Sequence, residues 1–131
     1  MSGRILYIDD EEDLRTLIQT QLLLEGYTVD VAGDGKSALA MILQAPYDVV
    51  LLDLHLPDMI GPELLEDLNL RNVPLNVIVL SGDTSEDARV KCKTLGVKQF
   101  LHKPFHYKEL ASSIQRALSD KIDGHSSIDN G

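Results

Sequence analysis

The side chains best suited to chemistry in this sequence stand directly after short apolar runs. Ile5 to Ile8 is followed by Asp9 and Asp10, which open a stretch of five acids ending at Asp13. Val49 to Leu52 is followed by Asp53, and Val77 to Leu80 by Ser81. Phe100-Leu101 is followed, one residue later, by Lys103 and Pro104. If a fold brings Asp9, Asp10 and Asp53 together, their charges cannot all persist at short range without a cation. One lysine offsets only one charge of three. A hard divalent ion with oxygen ligands suits the set, and Mg²⁺ keeps several waters beside one or two carboxylates; Mn²⁺ is the alternative ion.

Each residue also has a plainer account. Asp9 and Asp10 could cap a helix, with Glu11, Glu12 and Asp13 favoured by its positive end. Asp53 could cap a turn before Pro57, Ser81 could be a turn residue before Gly82, and Lys103 could be a surface lysine. For Glu11 to Asp13 the helix-dipole account is preferred. For the others, a single site accounts for all of them together.

The elements that must position these residues are legible from hydrophobic periodicity. Five apolar runs, Ile5–Ile8, Val29–Ala32, Val49–Leu52, Val77–Leu80 and Phe100–Leu101, are mostly continuous and β-branched, as in strands covered on both faces. Between them lie helical stripes: Leu14, Leu17, Ile18 and Leu22, stopped by Gly26; Ala38, Met41, Ile42 and Ala45, followed by Pro46; Leu64, Leu65 and Leu68, entered at Pro62. Ala88, Cys92 and Leu95 form the fourth, closed by Gly96, and Leu110, Ile114, Ala117 and Leu118 the last. Strands alternating with helices predict an α/β fold: a doubly wound five-stranded parallel sheet in three α/β/α layers, with right-handed crossovers. In the strand order 2-1-3-4-5 the carboxyl ends of strands one, three, four and five converge on one crevice, where such sheets bind ligands. Residues 1–3 read as a short extension, 4–120 as the domain, and 121–131, polar and aperiodic, as a flexible tail or linker stub.

The 131 residues are 44% hydrophobic and 25% charged, enough for one core. A net charge of −9 argues against direct nucleic-acid binding and suits a cation or a basic partner. The lone Cys92 excludes an internal disulfide and a cysteine metal cluster. No apolar run approaches the roughly 20 residues of a spanning helix, and Met1-Ser2-Gly3-Arg4 opens no signal peptide. The expected location is the cytoplasm, without membrane contact.

With these residues in place, the sequence resembles the receiver domain of two-component response regulators from about residue 4 to 120. The likeness rests on Asp9-Asp10, Asp53, Pro57, Gly61, Ser81 and Lys103-Pro104, with Phe100 three residues before the lysine. It implies a flavodoxin-like fold and a phosphorelay function in which Asp53 takes a phosphoryl group from a phosphohistidine. Mg²⁺ would be held by Asp10, Asp53, the backbone carbonyl of His55 and, through water, Asp9. Lys103 would pair with Asp53 and then with a phosphoryl oxygen, Ser81 would hydrogen-bond another, and the Lys103–Pro104 peptide would be cis. Inward movement of Ser81 would let Phe100 rotate from exposed to buried, remodelling the surface of the fourth helix, fifth strand and fifth helix.

The implied partners are a sensor histidine kinase or histidine phosphotransfer protein, an effector domain or protein on the switching surface, and a second copy on phosphorylation. The module would be a self-catalysed phosphoacceptor that dephosphorylates itself rather than a turnover enzyme. Ser at 81 keeps the family hydroxyl but lacks the methyl of the commoner Thr, and Phe at 100 lacks a phenol. His55 and Asp83 stand where water would approach the acyl phosphate and are expected to tune its lifetime. Arg89 and Lys93 either face a partner or form a solvated face. Two competing readings are a phosphorylation-independent interaction module and an aspartyl-phosphate hydrolase; the latter needs a second Asp where His55 stands.

Overall fold

A computed structural model describes residues 2–82 and 86–130, with side chains described through residue 119. The elements run β1 (Arg4–Ile8), α1 (Glu12–Leu24), β2 (Thr28–Ala32), α2 (Gly35–Gln44), β3 (Val49–Asp53), α3 (Gly61–Leu70), β4 (Val77–Ser81), α4 (Glu86–Thr94), β5 (Gln99–His102) and α5 (Tyr107–Asn130). The strands form one parallel sheet in the order β2-β1-β3-β4-β5. This is the doubly wound architecture expected from the alternation.

The continuous apolar runs divide by strand periodicity into two cores. Leu6, Ile8, Val50, Leu52, Val77 and Val79 face Ala38, Ile42, Leu64, Leu68 and Cys92 of α2, α3 and α4. Their neighbours Ile5, Tyr7, Val49, Leu51, Ile78 and Leu80 face Ile18, Leu22, Leu110, Ile114 and Ala117 of α1 and α5. A strand clad on both sides has no room for polar residues along its buried run, so polar side chains stand at the strand ends, those of the crevice at the carboxyl edge. The register keeps those ends level: Asp53 lies opposite Leu80, and Ser81 opposite His102. A cavity of about 760 Å³, bordered by Tyr47, Pro74 and Gln99, opens at the other end of the sheet, away from the strand-end acids.

One core assignment is corrected. Leu17 is 55% exposed, because the inward line of α1 passes through Leu14, Ile18 and Leu22. Gly26 and Gly96, after α1 and α4, take φ of 98° and 101°, left-handed values that stop a helix at little cost only for glycine. The helical backbone of α5 continues to Asn130, past the last apolar position of its stripe. No helix among the described residues is long and apolar enough to cross a membrane.

At the start of α2, Asp34 is extended and its carboxylate accepts the Ser37 N–H at 2.7 Å. Asp34→Ala removes this cap, and urea unfolding is expected to show a loss of about 1 kcal/mol. An unchanged midpoint would mean water replaces the cap without penalty.

Candidate functional site

The five buried residues Ile5 to Asp9 carry β1 directly into the crevice. Asp9, at 0% exposure, is the most deeply placed acid of the site, and three donors hold its carboxylate. Lys103 Nζ donates at 2.7 Å, the Tyr7 hydroxyl at 2.9 Å and the Glu11 N–H at 3.0 Å. The last contact is a local turn of the kind Asp favours. Asp9 thus shapes the local turn and lines the cluster, but the helix-capping account is not met: the N-cap of α1 is Glu11, and no side chain caps it.

Asp53 closes β3 and is buried. Its Oδ2 accepts from Lys103 Nζ at 3.2 Å and its Oδ1 from the His55 N–H at 3.3 Å. Lys103 arrives from the loop after β5, where its own N–H donates to the Ser81 carbonyl at 2.7 Å and its peptide to Pro104 is cis. Asp10 is exposed on the rim. Carboxylate oxygens of Asp9, Asp10 and Asp53 nonetheless lie within 4.8 Å of one another. Ser81 is buried at the end of β4, beside this cluster through Lys103.

Burial and one shared ammonium set the electrostatics of the cluster. Burial pushes the Asp53 carboxyl above its ordinary pKa, and the adjacent Asp9 charge adds to the rise; the Lys103 ammonium opposes it without winning. Lys103 is itself partly desolvated, which disfavours its charge, yet its hydrogen bond to Asp9 and the charge of Asp53 raise its pKa overall. Burial, then the Asp9 carboxylate, raise the Tyr7 hydroxyl, keeping it a neutral donor. One cation is shared among several anions, and Asp53 remains undercompensated. The donor set is all hard oxygen, which fits a divalent ion such as Mg²⁺.

Three participants were missed from the sequence. Glu11, assigned only to the helix dipole, places Oε1 3.4 Å from Lys103 Nζ. Tyr7 reads as a core aromatic, yet its hydroxyl reaches Asp9. Arg15 Nη1 donates to the Asp9 carbonyl at 2.6 Å. An i to i+6 relation of a polar side chain to a strand-end acid was the available signal for Arg15.

Further from the acids, Gly61 brings α3 against the loop after Asp53. A Cβ there would lie 3.1 Å from the Leu54 side chain and 3.3 Å from its Cα. His55 is exposed in that loop, and Pro57 with it. Phe100 is half-buried against the α2-α3-α4 core, and Arg89 covers its ring at 5.3 Å. Arg89 thus has a partner within the fold, whereas Lys93 is exposed. Asp83 lies outside the described residues.

Comparison with known proteins identifies the family. The family description of the response regulator receiver domain matches residues 5–115. The transcriptional regulatory protein QseB of Haemophilus influenzae is 34% identical over 125 residues, covering 95% of this chain and 57% of that protein. The cell cycle transcriptional regulator CtrA of Caulobacter vibrioides is 32% identical over 122 residues, 93% of this chain and 52% of that one. The chain spans about half the length of such curated relatives. Among solved structures, a CheY-like response regulator receiver domain protein from Methanospirillum hungatei superposes with a TM-score of 0.87 at 30% identity, covering 95% of this chain and 99% of that one. NtrX from Brucella abortus gives 0.89 at 31% identity, over all of this chain and 30% of that one. A sheet whose strand ends gather acids around one lysine, matched along nearly its whole length by such regulators, has one family: the chain belongs to the response regulator receiver domains of two-component systems.

Proposed function

We propose that Asp53 is the phosphoacceptor of this receiver domain and that Asp9, Asp10, Ser81 and Lys103 serve its phosphorylation. The observation that carries the reading is the arrangement of Asp53: a buried strand-end carboxylate, 3.2 Å from an ammonium and still short of positive charge. An Asp53 oxygen forms the new P–O bond as the P–N bond of a phosphohistidine breaks and imidazole departs. A bound divalent ion would supply charge screening between the carboxylates and the phosphoryl oxygens.

Mg²⁺ would be held by Asp10, Asp53 and the backbone carbonyl of His55. Asp9, whose carboxylate accepts from three donors, would take part through water, as the family resemblance implies. Lys103 moves its ammonium from the Asp53 carboxylate to a phosphoryl oxygen, and the Ser81 hydroxyl donates to another. The incoming charge biases a two-state surface of α4, β5 and α5, with Phe100 leaving the cover of Arg89 for a deeper position. His55 and Asp83 set the lifetime of the acyl phosphate. The module is a stoichiometric acceptor; its donor is a histidine kinase or phosphotransfer protein, and its reader an effector or a second copy.

Incubation with acetyl phosphate and Mg²⁺ is expected to add one phosphoryl group by intact mass, and chelation of the metal to leave the protein unmodified. Continuous release of many phosphate equivalents would favour a hydrolase. An unchanged mass would favour a phosphorylation-independent module.

A further inference from the structure

The segment Ala32-Gly33-Asp34-Gly35-Lys36 contributes no side chain to the acidic cluster, yet it touches both loops that do. Toward β1, the Asp9 N–H donates to the Ala32 carbonyl at 3.0 Å. The Arg15 guanidinium, whose Nη1 holds the Asp9 carbonyl at 2.6 Å, lies against Gly33: a Cβ at 33 would sit 2.8 Å from that nitrogen. Toward β3, the Asp58 carboxylate leaves its loop to accept the Gly35 N–H at 2.8 Å and the Lys36 N–H at 3.0 Å. Met59 covers Gly35 so closely that a Cβ there would overlap its thioether.

Neither Gly33 nor Gly35 is left-handed, so backbone conformation does not demand glycine at either position. Close approach does. Gly33 makes room for the residue that fixes the Asp9–Asp10 loop, and Gly35 for the loop that follows Asp53 and carries His55. One loop thereby contacts both acidic segments, which lie far apart in the sequence.

We infer that Arg15 and Asp58 are positioning residues that, seated on the β2–α2 loop, set the spacing of the two acidic loops and hence the metal affinity. Neither contacts the ion. The inference rests on the proposed metal-dependent site, and its readout is direct binding rather than phosphorylation. Magnesium binding to the full chain is followed by amide NMR shifts, alongside the rate of modification by acetyl phosphate over a range of Mg²⁺ concentrations.

Arg15→Ala and Asp58→Ala are each expected to raise the Kd for Mg²⁺ about 10-fold, within the range for loss of an outer partner of a metal ligand. At saturating Mg²⁺ both should approach the wild-type rate of modification. Gly33→Ala displaces only the tip of Arg15, and should reproduce the Arg15→Ala shift without adding to it in the double variant. Asn76→Ala supplies the control for softening of the fold: it loses a 2.7 Å bond to the Ala117 carbonyl and touches neither loop, so its Kd should stay unchanged. A wild-type Kd in Arg15→Ala and Asp58→Ala overturns the inference, as does an equal rise in Asn76→Ala. If the wild type binds Mg²⁺ but accepts no phosphoryl group, the phosphoacceptor reading falls while the positioning role is still decided by the affinities.

Discussion

Asp53→Asn is expected to abolish modification by acetyl phosphate and, without metal, to make the protein more stable at neutral pH. The amide keeps the shape of the side chain and loses the nucleophilic charge. The stability gain follows from burial. The Asp53 pKa is raised in the folded state, so the fold binds its proton more tightly than the unfolded chain does. Stability from this group is therefore present at low pH and lost as pH rises from the ordinary carboxylate value through the raised one. The variant escapes that loss. Lys103 is not stranded, since Asp9 and Glu11 still hold it at 2.7 and 3.4 Å.

Urea unfolding at pH 7 in chelator should place the variant about 1 kcal/mol above the wild type, the order of a typical single-site effect. The difference should shrink as pH is lowered and the wild-type Asp53 takes up its proton. Magnesium is expected to reverse the ranking: at about 100 times Kd it stabilises a binding-competent chain by about 2.7 kcal/mol, and the variant lacks one of the proposed ligands. Persistent modification of Asp53→Asn at the wild-type rate would place the acceptor elsewhere. A variant less stable than the wild type at every pH would remove the argument from burial.

The sequence carried the sheet because each central strand holds a continuous apolar run of four residues, with its polar side chain toward the crevice at or just after its carboxyl end. That makes Asp9, Asp53, Ser81 and Lys103 recognisable as one edge from the sequence alone. β2 was weaker: Asp30 interrupts it, and only Val29, Val31 and Ala32 mark it as a strand at the sheet margin. Leu17 shows the limit of helical periodicity, since a stripe gives spacing but not how wide a face the sheet can cover. The partners of the acids were hidden for another reason. Lys103 meets Glu11 across 92 residues and Asp9 across 94, and Asp58 meets Gly35 across 23. Such contacts depend on how loops turn after the strands end, where neither periodicity nor composition constrains them.

Lys103→Met should separate structural charge balance from chemistry, because the unbranched side chain keeps most of the volume and none of the charge. In chelator at neutral pH the variant is expected to lose about 3 kcal/mol, the lower range for removing one partner of a buried ion pair. Asp9, fully buried, keeps only the Tyr7 hydroxyl and the Glu11 N–H, and Asp53 keeps the His55 N–H. The sign with pH is fixed by the raised Lys103 pKa: its contribution is complete below the ordinary lysine value of 10.5 and fades as pH climbs through the folded value. The deficit should thus persist to strongly alkaline solution, and shrink on the acid side as the variant's carboxyls take up protons. Magnesium should recover part of it, since a divalent ion can neutralise the anions that the ammonium left. It should not recover the rate. At saturating Mg²⁺, timed intact-mass measurements with acetyl phosphate are expected to show modification slowed about 10²–10³-fold, the effect of deleting one preorganised donor to a developing charge. A wild-type rate would confine Lys103 to balancing the resting acids, whereas a slow rate with metal-restored stability assigns its ammonium to the phosphoryl oxygens themselves.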